Sequence, residues 1–198
     1  MVRPAGRAPG QRPPRADARR NRELLLTAAR EAFEEAGPDT SLVEIARRAG
    51  VGQGTLYRHF PTRAALLQAV LADRIETLCR RAAQLSATES TDDALAAWLR
   101  LFLVHVRVNQ GLAGAFMVED IEPWVADCHR VIVDAAADLL RRAQQTGTAR
   151  PDLTPDDLVQ LVVGIALATA RSDNTDQADR LLTLALDAVR RSPAHGGG

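Results

Sequence analysis

The stretch LVEIARRAGVGQGTLYRHF, residues 42–60, decides the fold of the N-terminal part of this chain. Its first half spaces four apolar residues at i, i+3, i+4 and i+7, which places them on one helix face. These residues are Leu42, Ile45, Ala46 and Ala49. Gly50 follows directly, and a glycine that adopts a positive φ is a common helix end. A second, short helix is predicted over 53–60, so the stretch has the pattern of two helices joined by a tight turn.

The spacing within this pattern is typical of a helix-turn-helix, whose second helix can enter the major groove of DNA. Ala46 lies four residues before Gly50, where the helices are expected to cross and a larger side chain would push them apart. Leu56 lies six residues after Gly50 and is expected to close a small core against Phe33. An ordinary helical hairpin shares this spacing, so the spacing alone leaves both interpretations open.

The first of these helices is predicted to begin with a capping box, because Ser41 is followed three residues later by Glu44. In a capping box the serine hydroxyl accepts a hydrogen bond from an open backbone N–H, and the carboxylate accepts one from the serine N–H. We therefore expect Ser41 and Glu44 to stabilise the helix start together.

Helical periodicity continues from this stretch almost to the C-terminus, and no sustained alternation predicts a strand. We predict an all-α fold of about nine helices, in which a three-helix N-terminal domain precedes a larger helical domain. The predicted helices cover 17–36, 41–49, 53–60, a long segment from about 62, 92–109, 112–118, 122–145, 154–171 and 176–191. The first is expected to bury a stripe of Leu25, Ala29, Phe33 and Ala36. Thr154, followed by Pro155 and two aspartates, marks another helix start.

Charge is divided unevenly along the 198 residues, although 25 basic residues balance 25 acidic ones. Residues 1–63 hold 12 Arg and 7 acidic residues, a net charge of +5, whereas residues 64–198 have a net charge of −5. A local basic region allows a neutral chain to bind nucleic acid. Two cysteines are too few for a disulfide scaffold, and the longest uncharged apolar stretch, 158–170, is shorter than the roughly 20 residues of a membrane span. We expect a cytoplasmic protein without a membrane partner.

The segment GVGQGTLYRHFPTRAALLQAV, residues 50–70, resembles the DNA-binding signature of the TetR/AcrR family of transcriptional regulators. The resemblance covers about 19–70, and the matching residues include Gly50, Gly54, Thr55, Leu56, Tyr57 and Phe60. It implies a C-terminal domain for ligand binding and dimerisation. The domains are then expected to be a flexible basic arm at 1–16, a helix-turn-helix DNA-binding domain at 17–61, a ligand-binding and dimerisation domain at 62–191, and a disordered tail at 192–198.

The residues predicted to contact DNA follow from this resemblance and from their chemistry. Hydroxyl, phenol, imidazole and guanidinium donors suit phosphate oxygens, which fix register, whereas Gln53 suits an adenine edge and Arg58 a guanine edge. Four arginines near the N-terminus are expected to follow a groove; they are Arg12, Arg15, Arg19 and Arg20. The full predicted DNA-binding set is Gln53, Gly54, Thr55, Tyr57, Arg58, His59, Arg63, Arg47, Arg48, Ser41, Arg19 and Arg20.

Two further sets are predicted in the C-terminal part. Aromatic residues with a few polar or soft neighbours indicate an effector pocket, although each residue suits an ordinary core equally well. The pocket set is Trp98, Phe102, His105, Asn109, Phe116, Met117, Asp120, Trp124 and Cys128. The last two helices carry broad apolar faces, which fit either burial within one subunit or a four-helix dimer interface. The interface set is Leu161, Gly164, Ile165, Ala168, Leu181, Leu182, Ala185 and Val189.

We therefore predict a homodimeric, ligand-responsive DNA-binding regulator, a repressor that a small molecule releases from a palindromic operator. Its expected partners are double-stranded DNA, an unknown small-molecule effector and a second copy of the chain. The alternative is a helical small-molecule-binding or interaction protein without DNA affinity. An enzyme is the third hypothesis, and no catalytic set, metal site or cofactor is predicted.

Overall fold

The computed structural model describes residues 14–37, 39–115, 122–170 and 175–190, with side chains at 16–37, 39–109, 126–170 and 176–190. These parts of the chain contain eight α-helices, so the all-α prediction is confirmed. The helices are α1 (Pro14–Ala36), α2 (Leu42–Arg48), α3 (Gln53–His59), α4 (Arg63–Thr88), α5 (Thr91–Ala115), α6 (Glu122–Gln145), α7 (Pro155–Ala168) and α8 (Thr175–Val189).

The chain divides into two compact units, Met1–Val70 and Leu71–Gly198, and the division falls within α4. The N-terminal unit holds α1, α2, α3 and the first turns of α4. The C-terminal unit holds the rest of α4 together with α5 to α8. The domain limits given above stay a prediction, because compactness alone assigns no role to either unit.

In the N-terminal unit, α1 packs against both α2 and α3, and these two helices also pack against each other. Helix α1 begins at Pro14, so the predicted helix start at 17 is wrong by three residues. Proline is favourable in the first turn of a helix, since its fixed φ suits the helix and its missing N–H has no partner there. The helix ends before Gly37, which adopts φ +79°.

The buried stripe of α1 differs from its prediction at one end. Leu25, Ala29 and Phe33 are buried as expected, but Ala36 is exposed and Ala32 is buried instead. Ala36 is the last residue of the helix, and the chain turns away at Gly37 before another helix covers it.

In the C-terminal unit, α5 packs against α6, α7 and α8, and one continuous hydrophobic core results. Trp98 of α5 is among the largest fully buried side chains of this core. Its indole N–H donates to the carbonyl of Leu78 on α4 over 3.1 Å, so the one polar atom of this ring is satisfied.

Helix α5 is longer than predicted. It continues to Ala115, so the expected break after Asn109 and the separate short helix at 112–118 are wrong over 112–115. The Asn109 side chain donates to the carbonyl of His105 one turn earlier, which satisfies the amide inside the helix. Gly111 lowers helix stability by about 1 kcal/mol relative to alanine, which is too little to end a packed helix.

The start of α7 confirms the predicted cap. The hydroxyl of Thr154 accepts from the N–H of Asp157, the Asp157 carboxylate accepts from the N–H of Thr154, and Pro155 is the first helical residue. Within the described residues, none of the helices is long and apolar enough to cross a membrane.

Candidate nucleic-acid interface

The turn between α2 and α3 is built on Gly50. This glycine adopts φ +66°, a region that residues with a Cβ enter at a cost. Its N–H donates to the carbonyl of Arg47, and the next N–H, of Val51, donates to the carbonyl of Ala46. These bonds satisfy carbonyls at the end of α2 and turn the chain into Gly52, the N-cap of α3. The predicted role of Gly50 is confirmed.

The two helices meet at small and apolar side chains. Ile45, Ala46 and Leu56 are almost completely buried, together with Phe33 of α1. Because Ala46 lies between packed helices, its small side chain lets them approach, as the spacing predicts. Phe60 is also buried, and the guanidinium of Arg22 lies 5.4 Å from its ring centroid.

Helix α3 presents a polar face to solvent. Gln53, Gly54 and Arg58 are exposed, and 48% of Tyr57 is exposed although tyrosine is largely apolar. Thr55 and His59, spaced i and i+4 on one side of the helix, are half-buried. A seven-residue helix with five hydrogen-bonding side chains, three of them exposed and two half-buried, suits the insertion of a recognition helix into a major groove.

Arg58 lies along its own helix. Its Nε donates to the carbonyl of Gly54 over 3.1 Å, and its Nη2 donates to Oγ1 of Thr55 over 3.0 Å. Both acceptors lie one turn earlier, so the guanidinium is fixed against the exposed face of α3.

The start of α2 forms half of the predicted capping box. The Ser41 hydroxyl accepts from the N–H of Val43 over 3.2 Å, which confirms Ser41 as N-cap. The Glu44 carboxylate instead accepts hydrogen bonds from the two arginines at the end of the helix. The prediction that it pairs with the Ser41 N–H is wrong, because both carboxylate oxygens of Glu44 accept from the guanidinium groups of Arg47 and Arg48 instead.

The α2 charge cluster consists of Glu44, Arg47, Arg48 and Glu35 of α1. Arg47 donates through Nε and Nη2 to the two oxygens of Glu44, both over 2.8 Å. Arg48 donates to Glu44 over 2.9 Å and to Glu35 over 2.6 Å, so it connects α2 to α1. Hydrogen bonds from the two arginines lower the pKa of Glu44 from 4.5 to about 2. With two carboxylates and two guanidinium groups, the cluster has no net charge. The sequence does not show this, because Glu35 belongs to another helix and is distant in sequence from Arg48.

The other predicted basic residues lie at separate places. Arg19 and Arg20 are exposed on α1, and Nε of Arg19 lies 3.7 Å from the Glu23 carboxylate. Arg63 is half-buried at the first position of α4, after Thr62 caps that helix by accepting from the N–H of Ala65. Arg12 and the side chain of Arg15 lie outside the described residues.

The predicted effector set is divided by the structure. Trp98 and Phe102 are fully buried core residues whose rings stack with centroids 5.5 Å apart. His105 continues this stack at 6.4 Å from Phe102 and is half-buried. Cys128 is half-buried on α6, and burial raises the pKa of its thiol. Phe116, Met117, Asp120 and the side chain of Trp124 lie outside the described residues.

A polar cluster next to this stack includes a residue that the sequence analysis missed. Arg74 of α4 donates to the amide oxygen of Asn109, and the Asn109 amide nitrogen lies 3.3 Å from Nδ1 of His105. Burial, with a smaller contribution from the charge of Arg74, lowers the pKa of His105 from 6.5 to about 4. The sequence signal for Arg74 is a charged residue in a helical segment between two apolar residues, Leu71 and Ile75, which are both buried.

The predicted interface residues also fall into two groups. Ile165, Leu182 and Val189 are buried within the core of one chain. Leu161, Gly164 and Ala168 of α7 are exposed, and Leu181 and Ala185 of α8 are half-buried. Leu167 and Leu184, which were not in the predicted set, are 62% and 66% exposed. Apolar surface therefore remains uncovered on both of the last two helices.

Comparison with known families assigns both units. Residues 25–70 match the family described as "Bacterial regulatory proteins, tetR family", and residues 90–191 match "Transcriptional regulator SbtR-like, C-terminal domain". The chain is 28% identical over 201 residues to the HTH-type transcriptional regulator TtgR of Pseudomonas putida, and the match covers 90% of this chain and 95% of that protein.

Solved structures agree with this assignment. A TetR transcriptional regulator from Streptomyces coelicolor is 38% identical, with a TM-score of 0.75 over 87% of this chain and 99% of the other. A TetR transcription regulatory protein from Mycobacterium vanbaalenii is 33% identical, with a TM-score of 0.72 over 90% of this chain and 100% of the other. The helix-turn-helix geometry and these matches together show that the chain belongs to the TetR family of transcriptional regulators, which are not enzymes.

Proposed function

We propose that the chain is a homodimeric repressor that binds a palindromic operator and is released from it by a small molecule. The observation that carries the DNA-binding part is the polar exposed face of α3 behind a turn fixed by Gly50. Gln53, Tyr57 and Arg58 on this face offer donors to base edges and phosphates. The family assignment argues against the alternative of a helical small-molecule-binding or interaction protein without DNA affinity.

The uncovered apolar surface of α7 and α8 supports the homodimer. A shallow groove on this surface is lined by apolar and small residues that include Leu161, Gly164, Ala168 and Leu181. Leu167 and Leu184, 62% and 66% exposed, add to the apolar surface of the same two helices, and a second copy would bury it. A two-fold dimer would place two α3 helices about one DNA turn, roughly 34 Å, apart on a palindrome.

The effector is proposed to bind near His105 and Asn109, where polar atoms border the apolar core, and Cys128 of α6 is proposed to line the same site. Trp98 and Phe102 would then support the site from within the core instead of touching the ligand. Binding to one state of the dimer better than to the other would lower operator affinity, typically by about 5–150-fold.

DNA binding is tested with the Tyr57→Ala and Arg63→Ala variants. Fluorescence anisotropy on a duplex from the DNA that flanks the gene, with an unrelated duplex as control, is measured at several salt concentrations. We expect both variants to keep their circular dichroism spectra and to lose affinity. For Arg63→Ala, the slope of log affinity against log salt should fall by about 0.9, the contribution of one phosphate. Unchanged binding by both variants would contradict the proposed interface.

The dimer is tested by sedimentation velocity of the wild type and of the Leu167→Arg, Leu184→Arg double variant. We expect a dimer for the wild type and a folded monomer with weakened operator binding for the variant, since charges would replace the apolar contact. Arg141→Leu is a control, because it changes an exposed side chain on α6. A wild type that sediments as a monomer at micromolar concentration would contradict the homodimer.

A further inference from the structure

We infer that Arg58 is held in advance by its own helix for contact with a guanine base, and that Thr55 is the positioning residue that holds it. This inference rests on the proposed binding of operator DNA by α3. It also changes the predicted role of Thr55, from a donor to phosphate to an acceptor for Arg58.

The geometry leaves one edge of the guanidinium available. A guanidinium has five N–H donors in a fixed plane. The Nε donor is committed to the Gly54 carbonyl and one Nη2 donor to the Thr55 hydroxyl oxygen, at 3.1 and 3.0 Å. These two donors form the side edge of the group. The end edge, formed by Nη1 and the second N–H of Nη2, therefore points away from both acceptors.

The end edge matches one base. Guanine presents two acceptors, O6 and N7, in the major groove, and two parallel N–H donors of an arginine can bind both. Adenine has an amino group in place of O6, so one donor of Arg58 would face another donor. The donor set of Arg58 thus selects a G·C pair.

Holding Arg58 before binding also increases its discrimination. A long side chain loses rotamer freedom when DNA immobilises it, and a side chain that is already fixed loses less. Thr55 suits this role because it is β-branched, half-buried and next to the fully buried Leu56. The Thr55 hydroxyl oxygen therefore stays within reach of Arg58.

The test first selects operator sequences from random duplexes with the full-length wild type. Affinities of the Arg58→Ala, Thr55→Val and Thr55→Ser variants are then measured by anisotropy on duplexes that change each base pair of the selected site. For one G·C pair in each half-site, we expect the wild type to prefer the original base by about 5–150-fold, the range typical of a bidentate contact. Arg58→Ala should remove this preference at that pair alone.

The threonine variants separate a positioning role from a phosphate contact. Thr55→Val keeps the shape but removes the hydroxyl, so it should reduce discrimination at the same G·C pair several-fold, and Thr55→Ser should restore it. Thr77→Val is the matched control, because Thr77 accepts a hydrogen bond from Arg80 at the same i, i+3 spacing on α4. This control should leave every base preference unchanged.

Three outcomes would overturn the inference. Arg58→Ala could leave all base preferences intact, which would show that Arg58 contacts no base. Thr55→Val could weaken binding equally on all sequences with a smaller salt slope, which would identify Thr55 as a phosphate contact. If the wild type selects no sequence from the random duplexes, the proposed operator binding is overturned, and the inference with it. This failure can be told apart from a failure of the inference alone, because the selection uses the wild type before any variant is measured.

Discussion

The two units of this chain differ in how closely sequence specifies the role of each residue. In the N-terminal unit, α2 and α3 are short helices that pack against α1 and against each other, and each has one narrow buried face. An apolar or small residue of α2 or α3 can therefore have only one role, which is to pack in the small core of this unit. In the C-terminal unit, α5 packs against three other helices, so an aromatic residue can lie in the core or line a site. Helical periodicity identifies both kinds of helix but assigns residue roles in the first kind alone.

Trp98→Ala tests this difference with the largest expected effect. Because Trp98 is fully buried, stacks on Phe102 and donates to the Leu78 carbonyl, its removal should destabilise the chain by about 3–5 kcal/mol. Urea denaturation followed by circular dichroism measures this change. Leu101→Ala, one turn away but 38% exposed, is the matched control and should cost clearly less. A loss below about 1 kcal/mol for Trp98→Ala would assign the ring to a ligand site instead of the core.

Most of the N-terminal fold could be predicted because its signals are local. Gly50 ends α2 because glycine adopts a positive φ at little cost. Ala46 lies four residues before Gly50 and Leu56 six residues after it, and both are buried as this spacing predicts. In the α2 charge cluster, the pairs of Glu44 with Arg47 and Arg48 have the local i, i+3 and i, i+4 spacing of helix ion pairs, so the sequence carried a signal for them. The bond between Arg48 and Glu35 could not be predicted in the same way, because it depends on the position of α1.

In the C-terminal unit, the missed features are long-range. The start of α7 was predicted because Thr154, Pro155 and Asp157 are neighbours in sequence. The bond between Arg74 and Asn109 joins residues 35 positions apart and depends on how α4 lies against α5. Burial of Leu182 and Val189, in contrast to the exposure of Leu184, likewise depends on which side of α8 the core covers.

The Gly50→Ala variant tests whether the positive φ of Gly50 is required for the turn in the N-terminal unit. A Cβ at Gly50 meets no atom within 4 Å, so the expected cost comes from φ +66° alone and is about 1–2 kcal/mol. Gly54→Ala is the matched control: its Cβ also meets no atom, but Gly54 lies inside α3, where alanine should stabilise by roughly 0.5–1 kcal/mol. Thermal unfolding of both variants measures the change in stability, which should be a loss for Gly50→Ala and a gain for Gly54→Ala. Equal effects at the two positions would show that the turn does not require positive φ.

His105 gives a test of the C-terminal unit that depends on pH. Its pKa is lowered to about 4, mainly by burial, so the unfolded chain binds a proton more readily than the folded chain between pH 6.5 and 4. The stabilisation is therefore complete above pH 6.5 and is lost as the pH falls towards 4. The histidine ring protons should titrate near pH 4 in an NMR titration. His105→Gln should flatten this part of the stability profile, and a ring that titrates at 6.5 would contradict its burial.

The smallest expected effect concerns Arg47 and Arg48, which were predicted to contact the DNA backbone. Because Glu44 and Glu35 already bind both guanidinium groups, we expect Arg47→Gln and Arg48→Gln to leave the salt slope of operator binding unchanged. Arg63→Ala is the comparison, since loss of a phosphate contact lowers the slope by about 0.9. Arg48→Gln should also slightly lower the melting temperature, because it breaks the connection between α1 and α2, whereas Arg47→Gln breaks a pair within one helix. A reduced slope in either variant would return that arginine to the DNA interface and would show that the cluster opens when DNA binds.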